Sequence, residues 1–188
     1  MLKKYYLIPI LFFCLSCSKN YDLKSKQGFV NLKKELIENL EDKLILQLHI
    51  STNSFIVPNS DSYFNSGDIE YKKNEDFYYQ IFNCRSEIIF EEPKKDMNTS
   101  LVKKNQPFKI KEINFEIIFN KIEIAKKMIE KPELFYSINL SNWVVKKNEN
   151  NKMVHYITLF GALKKPEEFK NAHRFEFEID ESGNVTKI

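Results

Sequence analysis

The stretch Arg174-Phe175-Glu176-Phe177-Glu178-Ile179-Asp180 constrains the fold more than any other part of the chain. Its apolar residues fall at every second position, with acids between them. In an extended backbone, Phe175, Phe177 and Ile179 then share one side, and Glu176, Glu178 and Asp180 the other. A strand with one dry and one wet face belongs to an antiparallel sheet that is covered on one side only. The rest of the chain must therefore supply partner strands and an amphipathic cover.

Two segments have the periodicity of that cover. From Phe29 to Lys43, Phe29, Leu32, Leu36, Leu40 and Leu44 recur at three- and four-residue steps, which predicts a helix. A second helix opens after Asn114, a side chain suited to capping. It carries Ile117, Ile118, Ile122, Ala125, Met128 and Ile129 as its apolar face and stops before Pro132.

Several strands are also legible. Leu44 to Ile50 alternates well enough for a strand, although it would also extend the first helix by two turns. Phe77–Phe82 and Glu87–Glu91 are rich in residues that suit a pleated surface, and Phe108–Lys111 is a short candidate. Leu134–Val145, Met153–Phe160, Arg174–Asp180 and Val185–Ile188 form a meander. Its turns fall at Asn148–Asn151 and Ser182-Gly183, and residues 161–172 form a connector. Pro58, the polar cluster 59–61 and Ser66-Gly67-Asp68 mark 51–74 as loop-rich. The polar stretch 92–106 is a candidate subdomain joint.

The expected class is α+β: two helices packed on mainly antiparallel sheet, with a C-terminal helix-plus-meander. This resembles cystatin-like and PepSY-like folds in architecture alone, with no diagnostic residues, and so implies no function. A helix followed by strands occurs twice, at 29–91 and 114–188, without a shared motif.

The N-terminus sets the location. Lys3 and Lys4 precede about eleven apolar residues, Tyr5 to Leu15, roughly half of what a bilayer-spanning helix needs. Cys14, Leu15 and the small residue Ser16 then lead into Cys17. This stretch resembles the signal of bacterial lipoproteins. The resemblance implies that residues 1–16 are removed and that Cys17 carries a diacylglyceryl group, with its freed amine acylated as well. Two or three acyl chains, at about 0.8 kcal/mol per buried methylene, hold a protein permanently at a membrane. An ordinary cleaved signal and an uncleaved anchor are the alternatives. Residues 17–28 are then the lipidated cysteine and a polar tether, reaching at most about 36–40 Å. Residues 29–188 form a single domain.

Charge and cysteines narrow the partners. Loss of Lys3 and Lys4 takes the excess of basic over acidic side chains from +3 to +1. No lysine block makes a nucleic-acid stripe, so a nucleic-acid partner is rejected. Cys84 is the one thiol left in the mature chain, which excludes an intrachain disulfide. It reads as a small buried hydrophobe in preference to a nucleophile or dimer bridge. His49, His155 and His173 are the three histidines, and none has a zinc-site spacing.

Three groups of residues are candidate sites. Trp143 with His155 or Tyr156 forms either a binding platform across the hairpin or an ordinary cross-strand aromatic pair. Glu176, Glu178 and Asp180 form either a cation row or a solvated face; their spacing of about 7 Å along a flat strand argues against calcium. Tyr71, Phe77, Tyr78 and Tyr79 are either an exposed patch or core filling. No nucleophile elbow, His-Glu-x-x-His motif, cysteine–histidine pair or glycine-rich phosphate loop is present. The expectation is a non-enzymatic protein- or ligand-binding lipoprotein of the bacterial cell envelope, on the inner or outer membrane, with no cofactor or metal. The alternative is an envelope-anchored hydrolase, which should bring His155 or His173 near acids in one pocket.

Overall fold

The computed structural model describes residues 21–53, 63–85, 87–95, 104–164 and 173–188. The first helix, α1, covers Lys26–Leu40, and its partner α2 covers Phe115–Lys127. The strands are β1 (Leu44–Thr52), β2 (Phe64–Lys73), β3 (Asp76–Cys84), β4 (Ile88–Phe90), β5 (Lys94–Lys95), β6 (Phe135–Lys147), β7 (Met153–Leu163), β8 (His173–Ile179) and β9 (Val185–Lys187). They form one sheet in the order β4-β3-β2-β1-β6-β7-β8-β9, with β5 also paired to β3. All of these pairings are antiparallel. The molecule is α+β, with both helices packed on this sheet.

This strand order is a repeat in topology. Each half is a helix followed by a four-strand meander, β1–β4 and β6–β9, with β5 an extra strand on β3 in the first half, and the halves join where their first strands, β1 and β6, pair. The helices share an apolar pattern: Phe29, Leu32 and Leu36 in α1 are matched in spacing by Phe115, Ile118 and Ile122 in α2. Both are capped by a side chain. Ser25 Oγ accepts from the Gly28 N–H at 3.0 Å, and Asn114 Oδ1 from the Ile117 N–H at 3.1 Å.

Trp143 on β6 is the centre of the core. It is fully buried, with Phe29 of α1 at 5.9 Å and Phe115 of α2 edge-on at 5.2 Å between ring centroids. Leu48, Ile50, Ile69, Phe82, Ile157, Phe177 and Ile179 continue that dry face across both halves. The alternation expected of the β8 stretch holds, with Phe177 and Ile179 buried and Glu176 and Glu178 on the other side.

Four expectations need correction. Residues 21–28 are not a free tether. Tyr21 and Leu23 are buried in the core, Asp22 bridges Tyr63, and α1 already begins at Lys26 because Ser25 caps it. A strand, β2, runs through the region read as loop. Its Gly67 is needed for packing and does not make a turn: a Cβ there would overlap the Phe82 ring and lie 2.6 Å from the His49 carbonyl oxygen. Phe108 makes only an isolated bridge to Ile45, and a 3-10 turn follows at Ile110–Glu112. The buried face of α2 is Phe115, Ile118, Ile122 and Ala125, and Ile129 just beyond it is buried too, leaving Ile117 and Met128 exposed. The chain from Leu44 is a strand and does not extend the first helix. The signal, Cys17 and residues 18–20 lie outside the described residues, as do most of the 92–106 joint and the 165–172 part of the connector.

Candidate functional site

A cleft of about 420 Å³ opens where the first turn of α2 meets the far ends of β6, β7 and β8. Its size falls in the range of small-ligand pockets. Apolar walls come from Ile118, Met153 and Ile179, and polar groups from Glu112, Asn114, Lys147, His155 and Asp180. The meander makes this arrangement: His155 precedes Ile157 on the dry side of β7, and register places it opposite Ile179. It therefore comes up beneath the helices and reaches the cleft at their edge.

The Trp143 Nε1–H donates to His155 Nδ1 at 3.2 Å, with the two rings stacked at 6.0 Å and 27°. Because Nδ1 accepts, the neutral ring carries its proton on Nε2. Burial pushes the His155 pKa down to about 4. At neutral pH it is therefore an uncharged ring that donates from Nε2.

The carboxylates at the cleft are committed in the opposite sense. Partial desolvation pushes Glu112 up, but bonds from the Lys147 ammonium and the Lys109 N–H, each 2.7 Å, outweigh it and hold the carboxyl below its usual range. Asn184 caps Asp180 through its side chain at 2.9 Å and its backbone N–H at 2.8 Å, and this lowers Asp180 as well. The cleft thus sets a neutral imidazole beside two carboxylates that are each stabilised in the ionised form.

The trio Trp143, His155 and Tyr156 does not converge. Trp143 and His155 share the helix-covered face, so Trp143 presents nothing to solvent. Tyr156 lies on the opposite face, in a second and more open groove with Glu178, under the Lys146 ammonium at 4.8 Å from its ring. Burial raises the Tyr156 pKa, and Glu178 adds to the effect. His173 stacks on Phe175 near Phe135, away from acids of the cleft. The acid row is taken up singly: Glu176 pairs with Arg174, Glu178 faces Tyr156, and Asp180 is capped by Asn184. Among the described residues no group of three or more His, Cys, Asp or Glu could hold a metal ion. Tyr71 and Tyr78 stack on each other at 5.6 Å against the core, whereas Phe77 and Tyr79 are half-buried at the alternate positions of β3 and do not join it, so core filling holds for two of the four. Cys84 is half-buried and free, and burial pushes its thiol up, away from the reactive thiolate.

Sequence reading missed one cluster. On the open face of the sheet, His49 Nδ1 lies 2.9 Å from Asp68 Oδ2, and His49 Nε2 lies 3.1 Å from Asn142 Oδ1. The Asp68 bond outweighs desolvation and raises the His49 pKa, since an imidazolium can donate to both oxygens. The cluster joins β2, β1 and β6 across the seam between the halves. The alternation of 44–50 places His49 opposite Leu48 and Ile50, but reading β2 as loop hid Asp68.

The chain matches no family model, no curated protein and no solved structure.

Proposed function

We propose that this protein is a non-enzymatic lipoprotein of the bacterial cell envelope, anchored through Cys17, which binds a small amphipathic ligand in the cleft beside His155. The observation that carries the binding reading is the hydrogen bonding around the cleft, which ties each of its main polar groups to a partner. Burial favours the neutral His155 ring and the bond from Trp143 leaves its proton on Nε2, while hydrogen bonds favour the ionised forms of Glu112 and Asp180. Such a constellation orients a ligand but does not cycle protons. The apolar walls and about 420 Å³ of space suit a compact molecule with one apolar side and at least one hydrogen-bond acceptor for His155.

The anchor reading is supported by the lysine pair, the short apolar run and Ser16-Cys17. Among the described residues no helix is long and apolar enough to cross a membrane. The hydrolase reading draws on His155 lying among acids in one cleft. It requires that His155 accept a proton near neutrality.

Two measurements test these readings. Mass spectrometry of the N-terminal peptide should show loss of residues 1–16 and a multi-acyl mass on Cys17 that Cys17→Ala abolishes; an unmodified Cys17 would overturn the anchor. Imidazole nitrogen NMR should show His155 neutral, protonated on Nε2, throughout pH 6–8. A His155 that titrates near pH 7, together with turnover of ester or glycoside probes, would replace the binding reading with the hydrolase.

A further inference from the structure

The docked N-terminal segment fixes which surface of the domain meets the membrane. The Tyr21 carbonyl accepts from the Phe64 N–H at 3.1 Å, Asp22 bridges Tyr63, and both N–H and Oγ of Ser25 donate to the Asp22 carbonyl. Gly28 allows this close approach, since a side chain there would overlap the Asp22 carbonyl. The chain is therefore pinned to the fold from Tyr21 onward. Only residues 18–20 separate that point from Cys17, and four residue steps span at most about 14 Å. An intact apolar segment ending at Leu15 would leave a leash nearly as short.

The surface around this anchor point has the chemistry of a bilayer interface. Tyr63, bridged to Asp22, is 43 % exposed, Val30 is 38 % exposed, and Lys24 and Lys26 are exposed on the turn and the first turn of α1. Tyrosine partitions to the headgroup level, and lysines meet lipid phosphates while their stems cover apolar surface. Lys26 also pairs with Glu116 at 3.0 Å, which ties the start of α2 to the same surface.

We propose that the surface formed by Lys24, Lys26, Val30 and Tyr63 rests on the phospholipid headgroups, standing β2 up from the membrane with its Asn74–Glu75 turn at the far end. This rests on the reading of Cys17 as the membrane anchor. β2 spans ten residues, about 30–34 Å, so Tyr63 and Glu75 form a ruler along the membrane normal.

The test uses the full chain, extracted from membranes and reconstituted in phosphatidylcholine–phosphatidylglycerol vesicles. Single cysteines at Tyr63→Cys or Glu75→Cys, in a Cys84→Ser background, carry an environment-sensitive fluorophore; an acylated Cys17 has no free thiol to label. Headgroup-region spin-labelled lipid is expected to quench the label at 63 at least threefold more than the label at 75. Inserting twelve Gly/Ser residues between Asn20 and Tyr21 should remove most of that difference. Equal quenching at the two positions, on protein whose mass shows acylated Cys17, would overturn the orientation and leave the anchor standing. Absence of the acyl mass, with protein free of vesicles, would overturn both. Lys24→Cys replaces Tyr63→Cys should the latter fail to fold.

Discussion

At the scale of single residues, the two polar-site histidines contribute to stability with opposite pH dependence. His155 is buried and neutral, with its pKa near 4 in the fold against 6.5 in the open chain. Between those values the unfolded chain takes up a proton that the folded one does not. Stability therefore falls as pH drops from 6.5 to 4, by about 3 kcal/mol in total. His155→Gln, which keeps an acceptor for Trp143, should flatten this part of the profile in urea titrations at pH 4.5 and 7. His49 lies above its ordinary value, so its contribution is complete below pH 6.5 and is lost as pH rises through its folded value. Asp68→Asn removes the main cause. Imidazole NMR of that variant should show the His49 midpoint falling toward or below 6.5, with less stability gained on acidification from pH 8.

At the scale of elements, periodicity revealed what burial dictates and concealed what packing dictates. Both helices, β1 and the C-terminal meander have an apolar face at the right period, β3 is rich in strand-forming residues, and each formed close to where it was read. β2 did not announce itself because Ser66-Gly67-Asp68 has the composition of a turn. Its glycine answers to the Phe82 ring, a contact between strands that no local rule reports. The cleft was half legible: His155 and Trp143 were named together, yet their covering helices and the Glu112–Lys147 pair depend on tertiary placement. The tether was misread because Tyr21 and Leu23 look polar-flanked and isolated, and only the groove beside Phe64 makes them core. Gly67→Ala should therefore cost on the order of 1–3 kcal/mol, read as a Tm several degrees lower. A value unchanged within one degree would mean that the Phe82 ring has room to move aside.

At the scale of the whole molecule, the sheet is continuous only because β1 pairs with β6, joining halves that are each a helix and a meander. The core has the same seam, since Trp143 from the second half fills the space beside Phe29 from the first. A chain made or exported from its N-terminus presents β1 long before β6 exists. Until β2 to β5 and α2 have followed, one side of β1 offers unpaired peptide groups above an incomplete apolar floor. Such an edge is a template for other strands. A fragment of residues 21–107 is expected to self-associate in sedimentation experiments, whereas residues 21–188 remain monomeric at the same concentration. During synthesis the chain thus carries its own timing hazard, which ends only when β6 reaches the edge of β1 before a neighbour's strand does.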